Sequence, residues 1–419
     1  MSDENLLIGQ QERKARLKDI FEDTLLLLKQ DEQLSADTKK AMSEAEFYPH
    51  DSNLSFANEK HKTHISATNE RTFEAARRLL SEKDGKVAVL NFANSIRPGG
   101  GVFGGSSAQE ESLCRCSNLY PVIEQDRFRK LYYKPNRFKA NDTLATDDII
   151  YARDVTVFKS DDDFPELLPK DEWYKVDVIT CAAPNLIGAE EIGREELVSI
   201  HHFRARRIFR SALAHNVRRI VLGAFGCGAF RNNPECVARG FELAIKDFEG
   251  QFEEIVFAIY HQPNELRNFQ IFAQVFEGKT IDYNLGRFIE AQDKYYDIAL
   301  AEISASQKRS HWIWYIFPQL AELGYSYNSK YYGISGIEEA RAYLNNPTLK
   351  KHLLEICGKL YECDGDIAVI MGNLDSLKLL SCMTLFNATD PSIEIFQKII
   401  DKFYAGQKDR RTLKILGVE

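Results

Sequence analysis

The sequence predicts an α/β sandwich followed by a separate all-α unit. Three observations carry that prediction. From Thr63 to Phe276, short apolar runs alternate with longer amphipathic stretches, the pattern of a largely parallel or mixed sheet covered by helices. A connector at Glu277–Asn284 then carries little apolar weight. Beyond it, residues 287–419 hold no convincing strand pair and read as helical segments punctuated by Gly324, Gly333, Pro347, Gly372 and Pro391.

In chain order, residues 4–45 read as helix, because Leu17, Ile20, Phe21, Leu25 and Leu28 recur at three- and four-residue steps with charge on the other face. Such a helix covers a neighbouring sheet. Strands are expected at Val87–Phe92, Ile149–Val157, Val176–Ala182, Ile220–Ala224 and Ile255–Ile259. Helices are expected at Arg71–Glu82, Ala108–Leu119, Glu195–His215, Glu235–Phe248 and Glu265–Phe276. The division that results is a helical extension at 1–55, the sandwich at 56–277 and an all-α domain at 285–419. In sheets of this kind ligands bind at the carboxyl ends of the strands, so the loops that follow strands are the ones to search.

A chain of 419 residues exceeds one ordinary core, and 44% hydrophobic residues exclude wholesale disorder. No apolar run reaches the roughly 18 residues of a membrane span, and the polar start Met1-Ser2-Asp3-Glu4-Asn5 is no signal peptide. The expected setting is cytoplasmic, with no membrane partner. The eight cysteines form no Cys-x-x-Cys pair, and Cys114 and Cys116 stand without a second pair at metal-ligand spacing. They read as free thiols in a reducing compartment. The formal net charge of −8 argues against non-specific nucleic-acid binding. A polyanion held by backbone amides and helix N-termini stays possible.

The strand ending at Phe92 runs through Asn94 into Gly99-Gly100-Gly101 and then into Gln109-Glu110-Glu111. Three successive glycines weaken any regular element and suit close approach of backbone to a ligand. Cleaving a glycosidic bond to ribose requires a proton delivered to the leaving oxygen. Two adjacent carboxylates raise one another's pKa and so supply a group that can hold that proton near neutrality. Taken alone, Glu110 and Glu111 could equally be acids complementing the first turn of a helix. The triple glycine at this spacing favours the chemical reading.

Gly-Gly-Gly, seven residues, then Gln-Glu-Glu resembles the signature of poly(ADP-ribose) glycohydrolases. The continuation Ser112-Leu113-Cys114-Arg115-Cys116-Ser117-Asn118-Leu119-Tyr120 resembles the microbial form. The resemblance spans roughly residues 10–277 and implies a macrodomain-like three-layer sandwich with an N-terminal helical extension. It also implies roles. Glu111 would be the catalytic acid, Glu110 would hold the ribose beside the scissile bond, and Asn94 would contact the terminal ribose. Gly99, Gly100, Gly101 and Gln109 belong to the same ligand loop.

A second loop follows the strand at 220–224: Phe225-Gly226-Cys227-Gly228-Ala229-Phe230, with Pro234 placed for the first turn of the next helix. Glycines there expose amide donors beside a helix N-terminus, a plausible diphosphate cradle. An ordinary tight turn would look the same. The stretch resembles the phosphate-binding loop of macrodomains, which implies that Gly226, Cys227, Gly228 and Ala229 clasp the diphosphate and that Phe230 packs on the ligand.

His201 and His202, beside Arg204, Arg206, Arg207 and Arg210, read as a solvated helix face, and His261 follows a strand end where it could line the cleft. In the C-terminal part, Arg287–Gln292, Lys308–Leu320, Lys330–Ile334 and Ser381–Phe386 resemble a small helical bacterial family of uncharacterised function. Its tryptophans read as core. A nucleotide pocket among Arg309, Ser310, His311, Tyr331 and Tyr332 is the alternative.

The activity so implied is hydrolysis of ribose–ribose O-glycosidic bonds in poly(ADP-ribose), with ADP-ribose as product and no metal or redox cofactor. Two rivals stand beside it. The same pocket could release single ADP-ribose units from modified protein or nucleic acid. A non-catalytic reader of ADP-ribose would need the loops but not the acid.

Overall fold

The computed structural model describes residues 3–138, 144–187, 192–261, 266–279, 283–324 and 326–418. Glu265, the expected start of one helix, and residues 280–282 of the connector lie outside them. The chain divides into two compact units, Met1–Thr280 and Ile281–Glu419.

The first unit opens with helices α1 (Asp3–Gln30) and α2 (Glu32–Glu44). Asp31 breaks the expected single helix because its carboxylate accepts the Leu34 amide at 3.1 Å and caps the second one. Seven strands follow: β1 (Glu46–Tyr48), β2 (His64–Thr68), β3 (Val87–Ala93), β4 (Ile149–Val157), β5 (Tyr174–Ala182), β6 (Arg219–Leu222) and β7 (Glu254–Ala258). They form one sheet in the order β1-β4-β5-β3-β6-β7-β2. Strands β5, β3, β6, β7 and β2 run parallel, and β4 is antiparallel to both its neighbours. Strand β1, within the expected extension at 1–55, pairs with β4 of the sheet.

Strand alternation sorts the core into two layers. Val87, Val89, Val178, Val221 and Val256 face Phe21 of α1, Phe73 and Leu79 of helix α3 (Thr72–Glu82), and Leu113 of helix α4 (Gln109–Cys116). On the other face Phe257 stacks on Phe276 at 4.2 Å and meets Phe241 edge-on. Helix α4 stops before the expected Leu119. Ser117 bridges to Val157, and the Asn118 side chain accepts the Thr156 amide at 2.9 Å. That bond fixes the end of α4 against the sheet.

Buried Arg115 of α4 donates to Leu17 O of α1 at 3.1 Å and to Ser106 O. Thr24 of α1 donates to Arg115 O at 2.6 Å. Phe21, Phe103 and Tyr120 meet edge to face at 5.0–5.4 Å. Together these contacts hold α1 against the glycine loop, so the extension positions the site as well as covering the sheet.

The second unit is helical; among its described residues the only strand-like pairing is a single bridge, Leu320 to Ile334. Trp312 is fully buried in its core. Glu302 accepts the Arg309 and Ser310 amides at 2.8 and 3.0 Å, the Ser310 hydroxyl, and the Trp312 indole N–H at 2.8 Å. These donors hold its carboxyl down at about 2 against the opposing effect of burial. Ser310 thus serves a structural knot.

Candidate active site

The carboxyl ends of β3, β6 and β7 border one cleft of about 450 Å³. Asn94, Gln109, Glu110 and Glu111 line one side, and Gly226, Gly228, Ala229 and Phe230 the other. The two glycine-bearing loops, over a hundred residues apart in sequence, therefore meet. Gly99, Gly100, Gly101 and Cys227 do not line the cleft wall. Cys227 is an uncharged thiol whose pKa burial pushes far up.

The glycine loop acts on the carboxylates through its amides. Glu111 accepts the Gly101 N–H at 2.8 Å, and Glu110 accepts those of Gly99 at 3.2 Å and Asn94 at 2.7 Å. At Gly100, φ is +55° and a Cβ would stand 2.5 Å from a Glu111 carboxylate oxygen, so only glycine fits there. Gln109 fastens the start of α4 to β3. Its amide donates to Leu90 O at 2.7 Å and to Thr72 Oγ1 at 3.1 Å, and its carbonyl accepts the Phe92 amide at 2.9 Å. Asn94 Oδ1 accepts the Ile96 and Arg97 amides, both at 3.0 Å, and sets the turn into the glycines.

Glu110 is 3% exposed. Burial first, and then the Glu111 charge, push its carboxyl up to about 8 against the opposing pull of the Asn94 amide. The folded protein therefore holds a proton that the unfolded chain releases above about 4.5, and folding loses stability as pH rises from there to about 8. Glu110→Gln removes that titration. Its melting temperature, relative to the wild type, should rise by several degrees across the window. Melts at several pH values test this, and a difference that stays constant with pH would refute it.

The second loop is tied by Asn232, which the sequence reading missed. Its amide donates to Pro184 O at 2.7 Å and Gly226 O at 3.1 Å, and its carbonyl meets His201 Nε2 at 2.8 Å. His201 is thus no part of a solvated face. It is 1% exposed, and burial holds its pKa down at about 3, so it is neutral. Arg204 is buried too, donating to Leu144 O and to Ala145 O. His261 packs on Phe269 at 4.8 Å and is not part of the cleft lining.

The cleft also contains groups that no contiguous motif marks. Arg71 lies 4.1 Å above the Tyr260 ring and donates to Asp163 at 2.8 Å. Asp161 accepts the Phe73 amide at 2.9 Å and the Ser112 hydroxyl at 2.8 Å, joining α3 to α4 beneath the cleft.

Residues 18–160 match the family described as microbial-type PARG, catalytic domain. The crystal structure of poly(ADP-ribose) glycohydrolase from Thermomonospora curvata is 30% identical; the match covers 62% of this chain and 99% of that one, with a TM-score of 0.56. The chain belongs to the microbial-type poly(ADP-ribose) glycohydrolases. The same Thermomonospora curvata glycohydrolase bound to the inhibitor ADP-HPD gives 29% identity, 62% and 98% coverage, and a TM-score of 0.53. The glycohydrolase from Deinococcus radiodurans in complex with ADP-ribose gives 34% identity, 58% and 98% coverage, and a TM-score of 0.50. No curated protein matches the chain. Residues 282–416 match a family described as a protein of unknown function, DUF1810. These glycohydrolases match over nearly their whole length, and the helical unit is an addition to them.

Proposed function

We propose that the chain hydrolyses ribose–ribose O-glycosidic bonds of poly(ADP-ribose) and releases ADP-ribose. The observation that carries this reading is Glu111, held by the Gly101 amide beside buried Glu110, in one cleft with the second glycine loop. Glu111 delivers a proton to the leaving oxygen and then activates water at the anomeric carbon. Glu110 and Asn94 orient the terminal ribose. Gly226, Gly228 and Ala229 present the diphosphate cradle, the Cys227 amide donates to Ala224 O at 3.0 Å within the turn, and Phe230 packs on the ligand. Gly99, Gly100, Gly101 and Gln109 position the carboxylates rather than touch substrate. The fold around this cleft is of macrodomain type.

Among the described residues no helix is long and apolar enough to cross a membrane. All eight cysteines are unpaired thiols, which supports a reducing, cytoplasmic setting. Turnover assays on defined poly(ADP-ribose) and on singly ADP-ribosylated protein or nucleic acid, with the products analysed, test the activity. Release of ADP-ribose from chains supports it. Turnover of single-unit substrates alone would make the chain a mono-ADP-ribosyl hydrolase, and binding without turnover would make it a reader.

The helical unit at 285–419 is proposed as an independent domain, because each unit encloses a core of its own. The chain cut after Lys279 should fold and hydrolyse poly(ADP-ribose) at close to the full-length rate. An insoluble or inactive product would show that the units share a core or a site.

A further inference from the structure

A second cleft, of about 230 Å³, opens where the β1 edge of the sheet meets the helix Arg194–Ala214. Phe203, Arg206, Arg207 and Arg210 line it from one face of that helix, at the three-, four- and seven-residue steps that align side chains. The lining sets these three guanidinium groups against one carboxylate, Asp147. Asp147 pairs with Arg207 at 3.4 Å and Arg206 pairs with Asp247 outside the lining, so among the described residues Arg210 is the guanidinium of the three without a carboxylate partner.

The three arginines are not equivalent. Arg207 is a rivet: it donates to the carbonyls of Asp147 at 2.9 Å, Pro49 at 2.7 Å and His50, and fixes the cleft wall. Arg206 shares Asp247 with His202, at 3.2 and 2.7 Å. Arg210 donates to the neutral Asn53 amide at 3.1 Å, which leaves its charge uncompensated by that partner. Beside them Phe203 is 62% exposed. An exposed aromatic ring, tilted against His202 at 6.3 Å and lying one helical turn from Arg206 and two from Arg210, suits a nucleoside diphosphate. The ring stacks a base, and the planar donor forks meet phosphate oxygens.

The cleft lies at the same end of the sheet as the active site. Tyr48, in its lining, pairs in register with Ile149, and the next residue, Ile150, pairs with Thr180 near the carboxyl end of β5. At the usual strand spacing, three strand positions separate β1 from β3 by roughly 15 Å. The intervening segment is tied to both sites. Arg137 donates to Ile96 O of the glycine loop at 3.1 Å, and Asn136 accepts the Thr146 amide at 2.8 Å, one residue before Asp147.

We propose that this cleft is a subsite for a further ADP-ribose unit of a poly(ADP-ribose) chain whose terminal unit occupies the main cleft. The inference rests on the glycohydrolase reading above. Phe203 takes an adenine, and Arg206 and Arg210 take the diphosphate.

The test is the triple variant Phe203→Ala/Arg206→Gln/Arg210→Gln, with melts as the folding control; Arg210→Glu alone serves if the triple variant melts early. On long poly(ADP-ribose) chains KM should rise on the order of tenfold, while kcat and the affinity for free ADP-ribose stay unchanged. An unchanged KM overturns the subsite. A second arm is independent of turnover: binding of labelled chains to Glu111→Gln, with and without the same substitutions. If the wild type cleaves no chains, the activity reading fails, and this arm still decides the subsite by whether chain affinity falls about tenfold. An RNA oligonucleotide of matched charge that displaces the chains equally well would make the patch a general polyanion surface and overturn the proposal.

Discussion

Glu111→Gln is expected to lower turnover of poly(ADP-ribose) by a hundredfold or more, on the order of what a lost general acid removes. Folding and ADP-ribose affinity should stay close to those of the wild type. The geometry explains why the effect is confined to chemistry. Glu111 accepts the Gly101 amide at 2.8 Å, and a glutamine carbonyl oxygen can accept the same bond. The glycine loop therefore keeps its place, and the cleft keeps its shape. The amide cannot hand a proton to the leaving oxygen or take one from water. Turnover rates, titration with ADP-ribose and thermal melts separate the three quantities. Near-normal hydrolysis would remove Glu111 from the role of acid, and lost affinity with intact folding would make it a binding group.

How much of this was legible in the sequence depends on where each signal is stored. The carboxylates and glycine loops were legible because each is a contiguous string whose parts act on one another within about ten residues. The central strands were legible because each carries a short apolar run, such as Val87–Leu90, Ile220–Leu222 and Ile255–Ala258. Strands β1 and β2 were not: β1 has three residues, and β2 is an edge whose His64, Ser66 and Thr68 break the apolar pattern. Asp161 and Asn232 were hidden for another reason. Asp161 holds Phe73, 88 residues away, and Asn232 holds Pro184, 48 residues away, so no local pattern announces either. His201 was misread from its basic neighbours. What buries it is Gly240, where a Cβ would stand 2.6 Å from the His201 Cβ, so that only glycine lets the helix Pro234–Asp247 close over it.

The second loop yields the other large effect, because its two glycines have opposite surroundings. At Gly226, φ is +77° and a Cβ would stand 2.6 Å from both Ala183 Cβ and Asn232 Nδ2. Gly226→Val should therefore disrupt the Asn232 knot and lower the melting temperature by about ten degrees or more, combining a strained backbone with overpacking. At Gly228 a Cβ would meet nothing within 4 Å, and the residue is exposed on the cleft wall. Gly228→Val should leave the melt nearly unchanged and weaken ADP-ribose binding by about tenfold or more. The branched side chain would stand between the loop amides and the phosphate oxygens that must approach them closely. Paired melts and calorimetric titrations of the two variants test the assignment. If Gly228→Val binds normally, the loop is a turn and the diphosphate lies elsewhere. If Gly228→Val collapses instead, Gly228 is a structural turn residue and its ligand role falls. If Gly226→Val stays folded, the Asn232 knot is not what holds the loop.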